Sequence, residues 1–182
     1  MRLRVPLEDE RQRSNFITST IEGMLAVAAI QAVANFVVIY AMELGATNAQ
    51  VGLLVSIPFL ANATALLLGS RYAANRSGTL LRPTLVTAAM HRVFVVIMVL
   101  ASLMPPAIAV WWVLATYSLA SACAAVTSTW WTAMVSEIFP AGNRGTIFGT
   151  RAMFTGGAGV VATLVAGRSL DLMPFPRSFT VV

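Results

Sequence analysis

The sequence predicts an all-helical, polytopic membrane bundle, and three observations lead there. Five long apolar runs occupy residues 16–42, 51–68, 83–104, 108–135 and 146–166. Each is long enough, or nearly so, to cross a hydrocarbon core ~30 Å thick, which takes roughly 20 helical residues at ~1.5 Å rise. Composition points the same way: 58% of the 182 residues are hydrophobic and 10% charged, and the mean hydropathy is +0.78, too apolar for an ordinary soluble domain. The runs are also apolar all round, without a polar stripe at helical spacing, and they lack the period-two alternation and ~10-residue length of barrel strands.

The elements follow in order. Residues 1–15 form a charged tail that mixes Glu8, Asp9 and Glu10 with Arg2, Arg4, Arg11 and Arg13, unlike a cleavable signal peptide. The rest, 16–182, is the transmembrane domain. Its first span ends near Tyr40, an aromatic suited to the outer interface. The short turn from Glu43 to Asn48 makes the second span an antiparallel neighbour, and Pro58 is expected to kink or loosen that span. Gly69 to Arg82 is the longest well-defined loop. The third span starts at Pro83, a good first-turn residue, and stops at Pro105-Pro106. Aromatic belts account for Trp111 and Trp112 at the outer interface and for Trp130 and Trp131 near the inner one. A second inner loop, Ser136 to Asn143, leads to a fifth span rich in Gly156, Gly157, Gly159, Ala158, Ala162 and Ala166, small residues that let helix backbones approach. Gly167 to Arg177 reads as an outer loop, and 178–182 as the opening of a sixth apolar segment, cut short.

Charge sets the expected orientation. All twelve basic side chains are arginine. Nine lie before the first span, between the second and third, or at the junction of the fourth and fifth, whereas Arg168 and Arg177 lie on the other side and Arg92 within the third span. The positive-inside rule places the amino terminus in the cytoplasm. This asymmetry explains a pI near 10.7 without nucleic-acid binding, since no stacked aromatic and basic surface accompanies the arginines. Cys123 is alone, so no disulfide forms within the chain, and one His with one Cys builds no metal cluster. There is no phosphate-binding glycine loop and no nucleophile with a positioned base, so the sequence gives no enzyme signature and implies no cofactor.

Charged residues within spans are functional candidates by default. Glu22 lies roughly 9 Å along the helix from Phe16, as a candidate for proton coupling or substrate contact unless the span begins nearer Met24 and leaves it in the wet headgroup region. Arg92 lies about 14 Å past Pro83, near the bilayer centre. It must pair with an acid, reach water, bind an anionic substrate, or settle on backbone carbonyls. A Glu22–Arg92 pair is one arrangement these positions permit. His91, about 100° away from Arg92 around the helix, reads as structural. Asn35 is the leading polar substrate candidate, with Gln31, Asn62, Ser118, Ser121, Thr127 and Ser128 as further hydrogen-bonding groups. Arg144 and Arg151 read as an inner-face gate or topology anchor paired with Glu137.

This organisation resembles the amino-terminal half of the major facilitator superfamily. The resemblance rests on the basic loop after the second span and on the run from Trp131 through Glu137, Pro140, Arg144-Gly145 and Gly149 to Arg151, which looks like the span four to five junction of bacterial members. Asn75-Arg76-Ser77-Gly78 is similar to the family's Asp-Arg-x-Gly loop core, with Asn in place of Asp and Arg71 where the family has glycine. The Gly-Pro pair of the antiporter subgroup is missing from the fifth span. The resemblance implies a secondary active transporter in a bacterial inner membrane. It would work by alternating access on a small solute, with proton coupling as one option, and a C-terminal half or second chain would complete it. The expected partners are membrane lipids, the solute and that completing half or chain, and nucleic acid is not among them. The inner-face candidates it carries are Asn75, Arg76, Gly78, Glu137, Arg144, Gly145 and Arg151. Two other readings stay open: a small non-transporting membrane protein acting as an assembly or scaffold partner, and an inactive truncated product.

Overall fold

The computed structural model describes residues 10–75, 78–139, 141–175 and 179. Among these the fold is entirely helical: α1 (Glu10–Ala34), α2 (Val37–Glu43), α3 (Asn48–Ala74), α4 (Leu81–Met98), α5 (Pro106–Ile138) and α6 (Arg144–Leu172), with 3₁₀ turns at Val99–Leu103 and Ala141–Asn143. Five segments are long and apolar enough to cross a membrane, of 34, 27, 23, 33 and 29 residues, all above the ~20 a bilayer requires. Large apolar side chains such as Phe59, Leu68, Val96 and Leu164 stand exposed, which suits a lipid environment better than water. Arg76, most of the 1–15 tail, Pro140, Arg177 and the proposed sixth segment from 178 lie wholly or mainly outside the described residues.

Four of the five helical segments outrun their apolar stretches, and local chemistry sets the ends. α1 is described from Glu10 onward, so helix already covers the part of the charged tail from Glu10 to Asn15. The first span is interrupted rather than continuous. Asn35 N–H reaches Gln31 O at a long 3.3 Å and Phe36 N–H switches to Val33 O, giving a turn between α1 and α2. Asn35 directs its side chain away from its own backbone, to Gln31 and Thr163, as asparagine tends to do where a helix loosens. Gly45, at φ +89°, closes α2 with Ala46 N–H on Ala41 O and Gly45 N–H on Met42 O, a Schellman cap that needs the left-handed residue. Thr47 and Gln50 then form a reciprocal capping box for α3.

α3 continues through Pro58 to Ala74, so the expected Gly69–Arg82 loop shrinks to residues 75–80. α4 starts two residues before Pro83 and gives way to the 3₁₀ turn, which stops at extended Met104 because Pro105 disfavours helical backbone before it. Pro106 then opens α5 at the position where a missing N–H costs nothing. α6 runs to Leu172, through residues read from the sequence as outer loop, and ends at extended Met173 before Pro174.

Two compact units make up the chain: Val37–Val135, and Met1–Phe36 together with Ser136–Val182. In the first, α4 and α5 form an antiparallel hairpin. It is tied by Trp112 Nε1–H on Ile97 O, the His91 Nδ1 contact to Ala120 O, and the Thr127 hydroxyl on Thr87 Oγ1, at 2.9, 3.1 and 2.8 Å. Trp130 ties α5 to α3, donating to Gly69 O at 2.8 Å while its ring lies 5.1 Å from that of Tyr72. Tyr40 donates to Val99 O. Two aromatics assigned by sequence to interfacial belts are therefore helix ties: Tyr40 and Trp130 are 2% and 8% exposed. Indole and phenol donors that reach a backbone carbonyl of a neighbouring segment can be buried without an unmet polar group.

In the second unit α1 and α6 run side by side and parallel, as the first and fifth of five successive spans must. The contacts keep a nearly constant register: Ser19 with Arg151, Val27 with Gly159, Asn35 with Thr163, Phe36 with Gly167. The two facing rows repeat every four residues, Ser19-Gly23-Val27-Gln31-Asn35 against Arg151-Thr155-Gly159-Thr163-Gly167. A Cβ at Gly159 would come within 3.1 Å of Val27 Cγ1, and one at Gly167 within 3.4 Å of the Phe36 ring, so these glycines set how closely the helices approach. Gly156 and Gly157 have no such neighbour.

Candidate functional site

The α1–α6 pair carries two polar clusters, separated along α1 by the nine residues from Glu22 to Gln31, about 14 Å of helical rise. The first is ionic. Arg151, about two turns into α6, lays its guanidinium across α1, donating Nε–H to Ser19 O at 3.2 Å and placing Nη2 3.7 Å from Glu22 Oε2. It passes directly over Gly23. A Cβ there would collide with Nη2 and stand 2.6 Å from Cζ and 3.0 Å from Thr155 Cγ2, so only glycine leaves the guanidinium its place. The two partners are unequally covered: the Arg151 side chain is 19% exposed and that of Glu22 54%. The cation is held between helices while the carboxylate is left open to its surroundings. Chemically this is an anchored positive charge beside an accessible acid.

The second cluster is uncharged. Asn35 Nδ2 donates to Gln31 Oε1 at 3.2 Å and to Thr163 Oγ1 at 2.8 Å, linking α1 to α6. These three residues line a cleft of about 320 Å³ whose other walls include Val27, Val160 and Leu164.

Placement of the remaining candidates is mixed. Arg151 does not pair with Glu137 as expected; its acid is Glu22. Arg144 donates Nε–H to Phe139 O, capping the carbonyl end of the preceding segment, and Glu137 is exposed in the last turn of α5. Arg92 is exposed and donates Nη1–H to Ala88 O, one turn back on its own helix, so it takes the backbone-carbonyl option rather than an acid. His91 is tied to Ala120 O. Asn75 caps α3 through its backbone N–H, and Gly78 is an exposed loop residue. A Cβ at Gly145 would meet nothing within 4 Å, so no packing contact here demands glycine. Among the described residues no group of three or more His, Cys, Asp or Glu side chains is placed to hold a metal ion.

Sequence reasoning found Glu22, Asn35 and Arg151 singly but missed that α1 and α6 assemble them, and it gave no role to Gly23, Ser19 or Thr163. The signal was present as two four-residue repeats in spans one and five. Comparison of the chain with family models, with curated proteins and with solved structures finds no match.

Proposed function

We propose that this chain supplies the first five membrane helices of a secondary transporter of the major facilitator type, with a cytoplasmic amino terminus in a bacterial inner membrane, and that α1 and α6 line its translocation pathway. One observation carries the reading: two adjacent helices of membrane-spanning length present Glu22 and Asn35 exposed, Gln31 and Thr163 partly so, and a charged pair between them. A membrane protein exposes such groups to a water-filled cavity or to other protein, because an amide without partners in hydrocarbon costs roughly 4–8 kcal/mol and a charge more. Transporters place their sites in this way, between helices that rock to open alternately on the two sides. Glu22, the open acid of that pair, is the candidate for proton coupling in such a cycle, with Arg151 as its fixed counter-charge.

The test uses cysteine accessibility. Cys123→Ala removes the native thiol and Asn35→Cys introduces one, in the protein as its host expresses it. Right-side-out and inverted vesicles are then treated with a membrane-impermeant maleimide. Alternating access predicts labelling from both faces. Labelling from one face alone, or from neither, contradicts it and favours a static membrane partner.

A further inference from the structure

We infer that the cleft between α1 and α6 binds a small, uncharged, amphipathic solute through a carbonyl, amide or hydroxyl group; this rests on the transport reading and narrows its substrate class. The unused hydrogen-bonding capacity of the cleft supports the assignment. Both hydrogens of the Asn35 amide are spent, on Gln31 Oε1 and Thr163 Oγ1. That leaves, among the described residues, the Gln31 Nε2 donors, the Thr163 hydroxyl hydrogen and the Asn35 Oδ1 acceptor without partners. Donors and an acceptor side by side match an amide, or a carbonyl next to a hydroxyl. The lining has no charged side chain, and the nearest ion pair found on these helices, Glu22–Arg151, lies about 14 Å away along α1 and is already self-compensated. An ionised solute would therefore lose its hydration here without a counter-charge.

The walls complete the specification. Val27, Val160 and Leu164 offer branched aliphatic surface, and Gly156 leaves the mouth open, since a Cβ there would meet nothing within 4 Å. A volume of about 320 Å³ is at the low end of the roughly 300–1,000 Å³ of ligand pockets, which limits the solute to a single compact ring system or short chain with one polar end. The Asn35 bridge fixes the Gln31 and Thr163 groups before any ligand arrives, so binding does not have to order them.

A matched set of single-ring aryl trifluoromethyl-diazirine photoprobes tests this: the para-carboxamide, the anionic para-carboxylate and the cationic para-trimethylammonium compound, each irradiated with the full protein in phosphatidylcholine vesicles and mapped by mass spectrometry. The amide should label peptides carrying Val27, Val160 or Leu164 at least five-fold more than either charged analogue. Excess 4-methylbenzamide should suppress that labelling. Gln31→Leu should lower it about five-fold, and Thr163→Val, which keeps the side-chain shape should the first variant fold poorly, should lower it at least two-fold. Equal labelling by all three probes, labelling that does not saturate, as simple partition into lipid would give, or no response to either variant overturns the inference. The outcome separates from that of the maleimide experiment. Two-sided access at residue 35 with no amide preference removes the solute class and leaves the transport reading standing. A saturable amide site reached from one side only does the opposite.

Discussion

Replacing Gly23 with alanine should destabilise the α1–α6 pair by removing Arg151 from its seat rather than by any change in helix propensity. The new Cβ would stand 2.6 Å from Arg151 Cζ, inside any real carbon contact, so the guanidinium must swing off α1. It then loses the hydrogen bond to Ser19 O, a charge-assisted bond of the kind worth about 1.5–3 kcal/mol. It also loses the pair with Glu22, which adds at most ~1 kcal/mol because that carboxylate is 54% exposed and well screened. Alanine in place of glycine within a helix offsets ~1 kcal/mol of this. The expected net cost is on the order of 1–2 kcal/mol. The collision account makes a sharper forecast for the Arg151→Ala background, where of the three nearest atoms only Thr155 Cγ2, at 3.0 Å, remains against the new methyl. There Gly23→Ala should be neutral or stabilising by up to ~1 kcal/mol. Reversible unfolding in mixed micelles of rising dodecyl sulfate fraction, followed by far-ultraviolet circular dichroism, gives all four corners of the double-mutant cycle. A coupling near 2 kcal/mol supports the geometry. Equal effects of Gly23→Ala in both backgrounds would refute it.

Three further outcomes follow from the packing. Gly159→Val, pressed on Val27 and Gln31 at 3.1–3.2 Å already at its Cβ, should cost about 2 kcal/mol in the same unfolding assay, while Gly156→Ala, facing open space, should cost nothing or gain ~0.5–1 kcal/mol. Trp130→Phe retains most of the buried ring but removes the indole hydrogen bond to Gly69 O, and should lower stability by roughly 1 kcal/mol, with loss of the buried component of tryptophan emission. Asn62 Oδ1 is buried without a hydrogen-bond partner among the described residues, so Asn62→Leu should raise the unfolding midpoint by the equivalent of about 1 kcal/mol. A fall in that midpoint would mean the carbonyl is satisfied in the membrane by water or another group.

Hydropathy makes the five spans legible because burial in lipid demands a continuous apolar run, and proline and glycine mark several ends, at Gly45, Pro105-Pro106 and the capping box at Thr47. Pairing between helices is less legible. In lipid the cue is not extra hydrophobicity but small residues and scattered polar groups, and the fifth span offers several glycines of which Gly159 and Gly167 approach α1 whereas Gly156 and Gly157 do not. Charge partners were misread for the same reason. Arg151 and Glu137 are close in sequence and looked like one inner-face cluster, yet the parallel register of α1 and α6 brings Arg151 to Glu22 instead. Tyr40 and Trp130 carry a role that an interfacial belt does not require, because an amphipathic ring can also tie two segments where a carbonyl is within reach. The Asn35 break also has a local cause, a side chain that bonds outward and loosens its own turn.

The central claim is that one side of the α1–α6 pair faces water within the membrane. A nitroxide scanned through residues 155–167 of α6 in lipid vesicles, with collision rates measured for a polar nickel chelate and for oxygen, tests it most directly. Thr163 lines the cleft, whereas Val161 and Val165 are each exposed and lie roughly 160° away around the helix. The account predicts chelate access that peaks at residues 156, 160 and 163 and oxygen access that peaks at 161 and 165, the two curves out of phase at helical period. Oxygen access dominating at every exposed position, with no chelate peak at 163, would place the cleft against lipid and contradict the account.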